Sequence, residues 1–342
     1  MNPESNKKPR RLLSIGTDRL LFQEGSAVRE RIKGYAKDWD EMHIIVASDR
    51  SFSETSIAPN VWIYPTRSKL KAMYPFDAMR LGRFIIERRV ITDITCQDPF
   101  LTAFAATSLQ NQFKLPLEIQ IHTDIGSPNF GYTLANKVRK AMALSFIKKA
   151  DTIRVVSEKT KKFLTESLGI SEQKITVRPI VVNVDAIKNA PIIAGADLHK
   201  KYPQFDKVVL IASRITPEKN ISLAIEAWPE VVKKSARAGL VIVGKGEREG
   251  HLKRLASRLG VSSSVVFEPW VDMQTLGSYY KTADLFLSTS LFEGYGMTFV
   301  EAKAAGCPIA STDVGVAREM GAHIISSDVK DVIRGVTQAL GV

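Results

Sequence analysis

Ser288-Thr-Ser-Leu-Phe-Glu293-Gly-Tyr-Gly296-Met-Thr298-Phe-Val-Glu301-Ala-Lys-Ala-Ala-Gly306-Cys-Pro308 is the stretch whose reading decides the fold. Asp284 to Ser288 reads as a short buried strand. Thr298 to Ala305 reads as a helix, stopped by Gly306 with Pro308 two residues on. The turn between them holds Gly294, Tyr295 and Gly296, and its two glycines let backbone come close to a ligand. The helix start at Met297-Thr298 offers unpaired N–H groups and the positive end of a dipole, which suits a phosphate. Glu293 stands before that anion site and Glu301 about one turn inside the helix. Carboxylates repel phosphate but accept hydrogen bonds from hydroxyls. A ligand with hydroxyls on both sides of a phosphate group, such as a nucleotide sugar, fits this layout.

The rest of the second half repeats the same unit. Strands are expected at 208–213, 240–243, 265–268, 285–288, 308–311 and 323–325, with helices at 221–234, 247–259, 273–281, 298–305 and 330–340. Just after the first of these strands, Arg214 and Lys219 flank a proline turn. Two cations at the carboxyl end of one strand can neutralise a diphosphate, arginine as a planar fork and lysine as a point charge. Val241-Ile-Val-Gly244-Lys-Gly246 is a poor dinucleotide fingerprint. The third glycine, Gly250, comes one position late, and no acid ends a following strand at the usual distance. Gly244 is therefore a candidate for close backbone approach to a nucleotide, without arguing for NAD.

The first half alternates similarly, with strands at 12–17, 42–48, 61–64, 91–95, 117–122, 152–156 and 174–178. Gly25 stands where the first loop feeds a helix over 28–37, a second position for a phosphate contact. His122 and Asp124 lie at the carboxyl end of the fifth of these strands, where open parallel sheets bind ligands, and Ser127 follows on the same loop. Leu134 to Lys149 is expected to be helical, with Leu134, Val138, Ala141, Met142, Ser145 and Phe146 as its apolar side and a basic opposite side. The irregular stretch Pro179 to Ala196 separates the halves, and the domains are set at 1–190 and 191–342. The fold class is α/β, with two doubly wound Rossmann-like domains.

At 342 residues the chain accommodates two ordinary domains, and 44% hydrophobic and 25% charged residues are those of a water-soluble globular protein. Its two cysteines, Cys96 and Cys307, form neither a disulfide framework nor a metal cluster, which predicts a reducing, cytoplasmic setting. Met1 to Arg11 is polar and basic, unlike a secretory signal, and no run of 18 apolar residues predicts a membrane span. The net charge of +12 suits nucleic acid, an anionic membrane or an anionic substrate. No nucleic-acid module accompanies it. The cations concentrate between Arg67 and Arg89 and between Lys137 and Lys149, which favours an acidic lipid surface.

Glu293 and Glu301, with seven residues between them and followed by Ala-x-Ala-x-Gly-x-Pro, resemble the E-x7-E signature of retaining glycosyltransferases of the GT-B fold, family four. Ser213-Arg214 to Lys219-Asn220 is similar to that family's diphosphate-binding element. Asn183-Val-Asp185 is similar to its linker, with valine where glycine is usual, and one glycine stands in the first loop where the family often has two or three. The resemblance implies two domains facing across a cleft, with the last helix able to cross back onto the first. It implies Glu293 on the sugar hydroxyls, Glu301 on the ribose hydroxyls, and Arg214 and Lys219 on the diphosphate. Gly25, Gly244 and the Gly294–Thr298 turn would lie along the donor, His122 beside its sugar, and Asp124 and Ser127 on the acceptor side.

Catalysis would need no cofactor beyond the nucleotide-diphosphate sugar as co-substrate. It would need no metal either, since no Asp-x-Asp stands at a strand end. The expected activity moves a hexose, with retention, to a carbohydrate or lipid-linked acceptor in cell-envelope glycan or glycolipid synthesis, with peripheral attachment to the inner membrane face. The alternatives are a nucleotide-sugar-binding or epimerising protein on the same fold, and an NAD enzyme.

Overall fold

The computed structural model describes residues 9–342, so most of the Met1–Arg11 stretch, and with it the reading of a missing leader, lies outside the described residues. The chain divides into two compact units, Met1–Arg178 and Pro179–Val342. In the first, β1 (Arg11–Gly16), α1 (Ala27–Tyr35), β2 (Glu41–Val46), β3 (Thr55–Ala58), β4 (Val61–Pro65), α2 (Tyr74–Arg89) and β5 (Asp93–Cys96) are followed by α3 (Leu101–Phe113), β6 (Leu117–Ile121), α4 (Leu134–Ile147), β7 (Thr152–Val155), α5 (Glu158–Leu168) and β8 (Ile175–Val177). The sheet runs β3-β4-β2-β1-β5-β6-β7-β8. Every pairing is parallel except that of β3, an antiparallel edge strand with a bulge between Ser56 and Ala58. It was not expected from sequence, because four half-exposed residues carry no usable alternation.

Chain direction decides which face each helix covers. Right-handed crossovers toward β8 put α2, α3, α4 and α5 on one face, and the reverse step from β1 to β2 puts α1 on the other. There Ile32 and Ala36 pack with Leu12, Met42, Ile44, Val46, Val61 and Ile63, over β1, β2 and β4.

The expected inward side of α4 is corrected. Ala143 and Ile147 face the core, while Leu134 and Val138 are 78% and 55% exposed and Ala141 and Ser145 are exposed as well. With apolar residues on nearly every side of α4, periodicity could not choose between faces; packing on α3 did.

The second unit contains α6 (Val184–Asn189), α7 (Leu198–Lys201), β9 (Lys207–Ala212), α8 (Ile221–Lys234), β10 (Ala238–Val243), α9 (Glu249–Arg258) and β11 (Val265–Glu268), then α10 (Met273–Thr282), β12 (Leu285–Ser288), α11 (Met297–Ala304), β13 (Ile309–Thr312), β14 (His323–Ile325) and α12 (Val329–Leu340). Its sheet order is β11-β10-β9-β12-β13-β14, with all pairings parallel. That is the doubly wound order, whose direction reverses between β9 and β12.

One boundary differs from expectation. Residues 179–190, assigned from sequence to the first half, belong to the second, because α6 lies against α11 and Lys281 donates to the Lys188 carbonyl at 3.0 Å. The last helix packs into the core of the second unit. Val332, Val336 and Leu340 of α12 enter the core built by Trp228, Ile225, Leu285 and Leu287.

Candidate active site

β9 and β12 are neighbours in the sheet, and their following helices leave toward opposite faces. A crevice opens at such a reversal point beyond the carboxyl ends of the strands. Both turns that line it are stitched together. The Leu291 N–H donates to the Glu218 carbonyl at 2.8 Å, and Thr289 Oγ1 donates to the Asn220 carbonyl at 2.9 Å. This brings Lys219 and Glu293, 74 positions apart, into an ion pair at 2.5 Å, with both side chains largely buried at 13% and 16% exposure. Ser290 Oγ donates to the same Glu293 oxygen at 2.8 Å. Thr312 Oγ1 donates to the Ser290 carbonyl at 2.6 Å, tying in β13.

Arg214 takes a different position from Lys219. Its side chain is 68% exposed and reaches Glu218 at 3.2 Å, while Thr216 Oγ1 fixes that carboxylate at 2.7 Å. Lys219 is thus the held cation of the pair and Arg214 the one free to swing.

The turn Glu293-Gly294-Tyr295-Gly296 leads directly into α11. Gly296 caps the helix at φ 85°, and a Cβ there would lie 2.5 Å from the Phe299 ring. No side chain caps α11, so its first N–H groups keep their capacity for an acceptor, with Met297 and Thr298 at the mouth. The loop after β13 clasps the turn. Val316 N–H donates to the Tyr295 carbonyl at 2.9 Å, and a Cβ on Gly315 would stand 2.3 Å from that oxygen. Glu301 is 3% exposed, and Tyr280 donates its hydroxyl to Oε2 at 3.1 Å. Desolvation raises the Glu301 pKa, and the Tyr280 bond opposes that rise.

Gly244 closes β10 at φ 149°, with its N–H on the Glu268 carbonyl at 3.1 Å. A Cβ there would sit 1.9 Å from the Ser213 carbonyl, and one on Gly246 2.2 Å from the Ile215 carbonyl. The two glycines let the end of β10 press against the β9 turn that carries Arg214. Trp270, 62% exposed, follows β11.

In the first unit, His122 lies one residue past β6. Its Nε2 stands 3.2 Å from Gln120 Oε1, which also accepts from Arg154. Since Gln120 spends its amide donors on Thr95 and Glu118, the imidazole must donate through Nε2, leaving Nδ1 as an acceptor. Desolvation first, then the charges of Arg154 and Arg31, push its pKa down to about 4, although the residue is exposed at the surface of its unit. At neutral pH it is therefore a hydrogen-bonding group without charge.

Asp124 and Ser127 are buried and serve their own loop. Asp124 accepts from the Ser127 N–H at 3.0 Å and pairs with Lys159 at 3.6 Å. Gly25, at φ 69° with open space where a Cβ would be, precedes the Ser26 cap of α1. Among the described residues no group of His, Cys, Asp and Glu has the arrangement of a metal site.

Sequence reasoning missed Glu218, Ser290, Tyr280 and Gly315. Ser288-Thr-Ser290, which ends three positions before Glu293, was an available hydroxyl signal. Tyr280 and Gly315 carry none, because only the sheet order places them.

Two family profiles match the chain. "Glycosyltransferase Family 4" covers residues 25–186, and "Glycosyl transferases group 1" covers residues 197–339. Among curated relatives, an uncharacterized glycosyltransferase of Methanocaldococcus jannaschii is 28% identical over 68% of this chain and 60% of its own length. The alpha-monoglucosyldiacylglycerol synthase of Streptococcus pneumoniae is 26% identical over 69% of this chain and 57% of its own length. The chain thus spans 60% or less of these relatives. Among solved structures, sucrose-phosphate synthase from Thermosynechococcus elongatus superposes with a TM-score of 0.77 over 97% of this chain and 90% of that one, at 14% identity. The fold is GT-B, and the chain belongs to the family 4 glycosyltransferases.

Three outcomes test the geometry. Lys219→Met should cost about 2 kcal/mol in urea unfolding, because it strands the Glu293 charge, and Glu293→Gln in the same chain should recover part of that loss. If the two substitutions are additive, the pair carries no coupling. Gly244→Ala should cost at least about 2 kcal/mol from the clash and the disfavoured backbone together, read by thermal unfolding. The lowered His122 pKa means that the unfolded chain takes a proton the folded one refuses. Its stabilisation is complete above pH 6.5 and is lost as the pH falls toward 4. His122→Asn should flatten the dependence of Tm on pH in that window.

Proposed function

We propose that this chain transfers a hexose, with retention of anomeric configuration, from a nucleotide-diphosphate sugar to an acceptor hydroxyl. The observation that carries the proposal is the Lys219–Glu293 pair at the reversal point of the second sheet, beside the uncapped start of α11 and one turn from the buried Glu301. A diphosphate entering there meets Lys219, the swinging Arg214 and the α11 N–H groups. Lys219 then turns from Glu293 to the phosphates, which releases a carboxylate for sugar hydroxyls. Glu301, supported by Tyr280, receives the ribose hydroxyls, and the exposed Trp270 offers a face to the base.

Chemistry follows from charge. As the sugar–phosphate bond lengthens, negative charge builds on the diphosphate and is met by preorganised donors. The acceptor hydroxyl attacks from the leaving-group side, and a diphosphate oxygen takes its proton. These cations and N–H groups supply the stabilisation without a metal ion or a further cofactor. His122, neutral, contributes a hydrogen bond and not an acid. The two glutamates are not a glycosidase acid–base pair, because an anion site lies between them.

For the acceptor, the reading is a carbohydrate or a lipid-linked glycan, with the chain working peripherally at an anionic membrane surface on its cytoplasmic side. Among the described residues no helix is long and apolar enough to cross a membrane. Exposed Leu134 and Val138 beside Lys137 and Lys140, and exposed Phe76 edge-on to Phe104, form a basic and apolar helical layer suited to such a surface. The glycolipid-synthase relative is in keeping with this.

A thermal-shift panel of UDP- and GDP-sugars should identify the donor. With that donor, Lys219→Ala should lower kcat/KM by about 2–4 kcal/mol of transition-state stabilisation, with Arg214→Ala weaker in the same direction. NMR of the product should show the donor's own anomeric configuration. An inverted product, or an unchanged rate in Lys219→Ala, overturns the mechanism. Donor turnover without transfer to any acceptor would point to the epimerising alternative.

A further inference from the structure

The half of the first sheet that α1 leaves uncovered is polar from strand to strand. In register, Thr95, Glu118 and Thr152 form one row, and Gln120, Arg154 and Thr176 the next. His122 and Arg178 stand one step further on, beyond β6 and β8. All point to the face opposite α2 to α5, because they share strand parity. Beside the second row Gly16 has no side chain, and Gln97 lies across the space a Cβ would take. Thr152, Thr176 and Arg178 are exposed.

The groups of this shelf are ordered before any ligand arrives. Thr95 Oγ1 donates to Glu118 Oε1 at 2.9 Å, and Gln120 donates to Thr95 at 2.9 Å and to Glu118 at 3.3 Å. Arg154 donates to Gln120 Oε1, and its guanidinium lies 5.7 Å from the centre of the Tyr35 ring at the end of α1. Arg31 on α1 and Arg178 lie within electrostatic reach of this group. Neither has a carboxylate partner within 4 Å among the described residues, and the one carboxylate of the shelf, Glu118, offsets part of the Arg154 charge from a row behind. Arg154 is held on Gln120, Arg178 follows the adjacent strand, and Arg31 lies one helical turn before Tyr35, whose ring faces Arg154, so three like charges share one side of the sheet and an anion there relieves their repulsion. Planar forks on such a shelf match the oxygens of a phosphate.

We propose that the shelf of Arg31, Arg154 and Arg178 over Gln120 is an anion subsite that holds a phosphate ester carried by the acceptor. The word acceptor rests on the transferase reading above; the subsite does not. Its chemistry is shared by a soluble sugar or polyol phosphate and by the headgroup of a phosphoinositide or other anionic lipid. Arg154, paired with Gln120, fixes the position of the ester, and the exposed Arg178 closes over it.

Binding to the full chain tests this without any need for transfer. Glycerol 3-phosphate and glycerol are titrated calorimetrically, and the chain is co-sedimented with phosphatidylcholine vesicles with and without phosphatidylinositol. The phosphate ester or the phosphatidylinositol vesicles should bind, and glycerol and plain phosphatidylcholine should not. Arg178→Gln, a surface change with no folding penalty expected, and Arg154→Gln should each weaken binding about tenfold, the loss of one charged hydrogen bond. Lys219→Ala should leave it unchanged, which separates this site from the donor's. Binding of glycerol 3-phosphate alone assigns a soluble acceptor, and binding of the vesicles alone assigns a lipid headgroup. The proposal is overturned if neither probe binds, or if both bind equally well after Arg178→Gln and Arg154→Gln. Loss of this subsite with donor binding intact would leave the transferase reading standing.

Discussion

The contact on which the candidate site depends is the short ion pair between Lys219 and Glu293. It joins two turns that have nothing to do with each other along the chain but end adjacent strands of one parallel sheet. Taking both charges out of water is costly, and the cost is offset only because each has the other and Glu293 has Ser290 as well. The pair is therefore strong enough to order the site and close enough to balance to be exchanged.

Around that pair the fold spends its glycines where backbone must touch backbone. Gly244 and Gly246 bring the end of β10 against the β9 turn, and Gly315 brings the loop after β13 against Tyr295. Gly296 lets α11 begin without a side-chain cap. Each removes a side chain from a place where its bulk would push the turns apart, so the crevice stays tight. The first unit uses the opposite strategy. There a half-covered sheet carries polar groups on strand residues, with a ladder of hydrogen bonds from Thr95 to Arg154 holding them in place.

Much of this was legible in the chain. The alternation of buried strands with helices, the glycine turn before α11, both glutamates and the Arg214–Lys219 turn can all be read because each depends on residues close together in sequence. The misreadings share a cause. The outward side of α4 was taken for its inward side because apolar residues occupy nearly all of its circumference, and only contact with α3 selects Ala143 and Ile147. β3 is too short to show a period. The segment from 179 to 190 reads as an irregular linker, and it is the docking of α6 on α11 that assigns it to the second unit.

By itself, then, the sequence determined the class of fold and the positions of the charged and glycine residues on its turns, since local spacing sets helix starts, strand ends and tight turns. Only the tertiary structure decided who partners whom. That Lys219 holds Glu293 while Arg214 faces water, that Tyr280 supports Glu301, and that Gln120 and Arg154 turn His122 into a neutral acceptor all follow from strand order and register. Those in turn are set by long-range packing free energy, which no window of neighbouring residues contains.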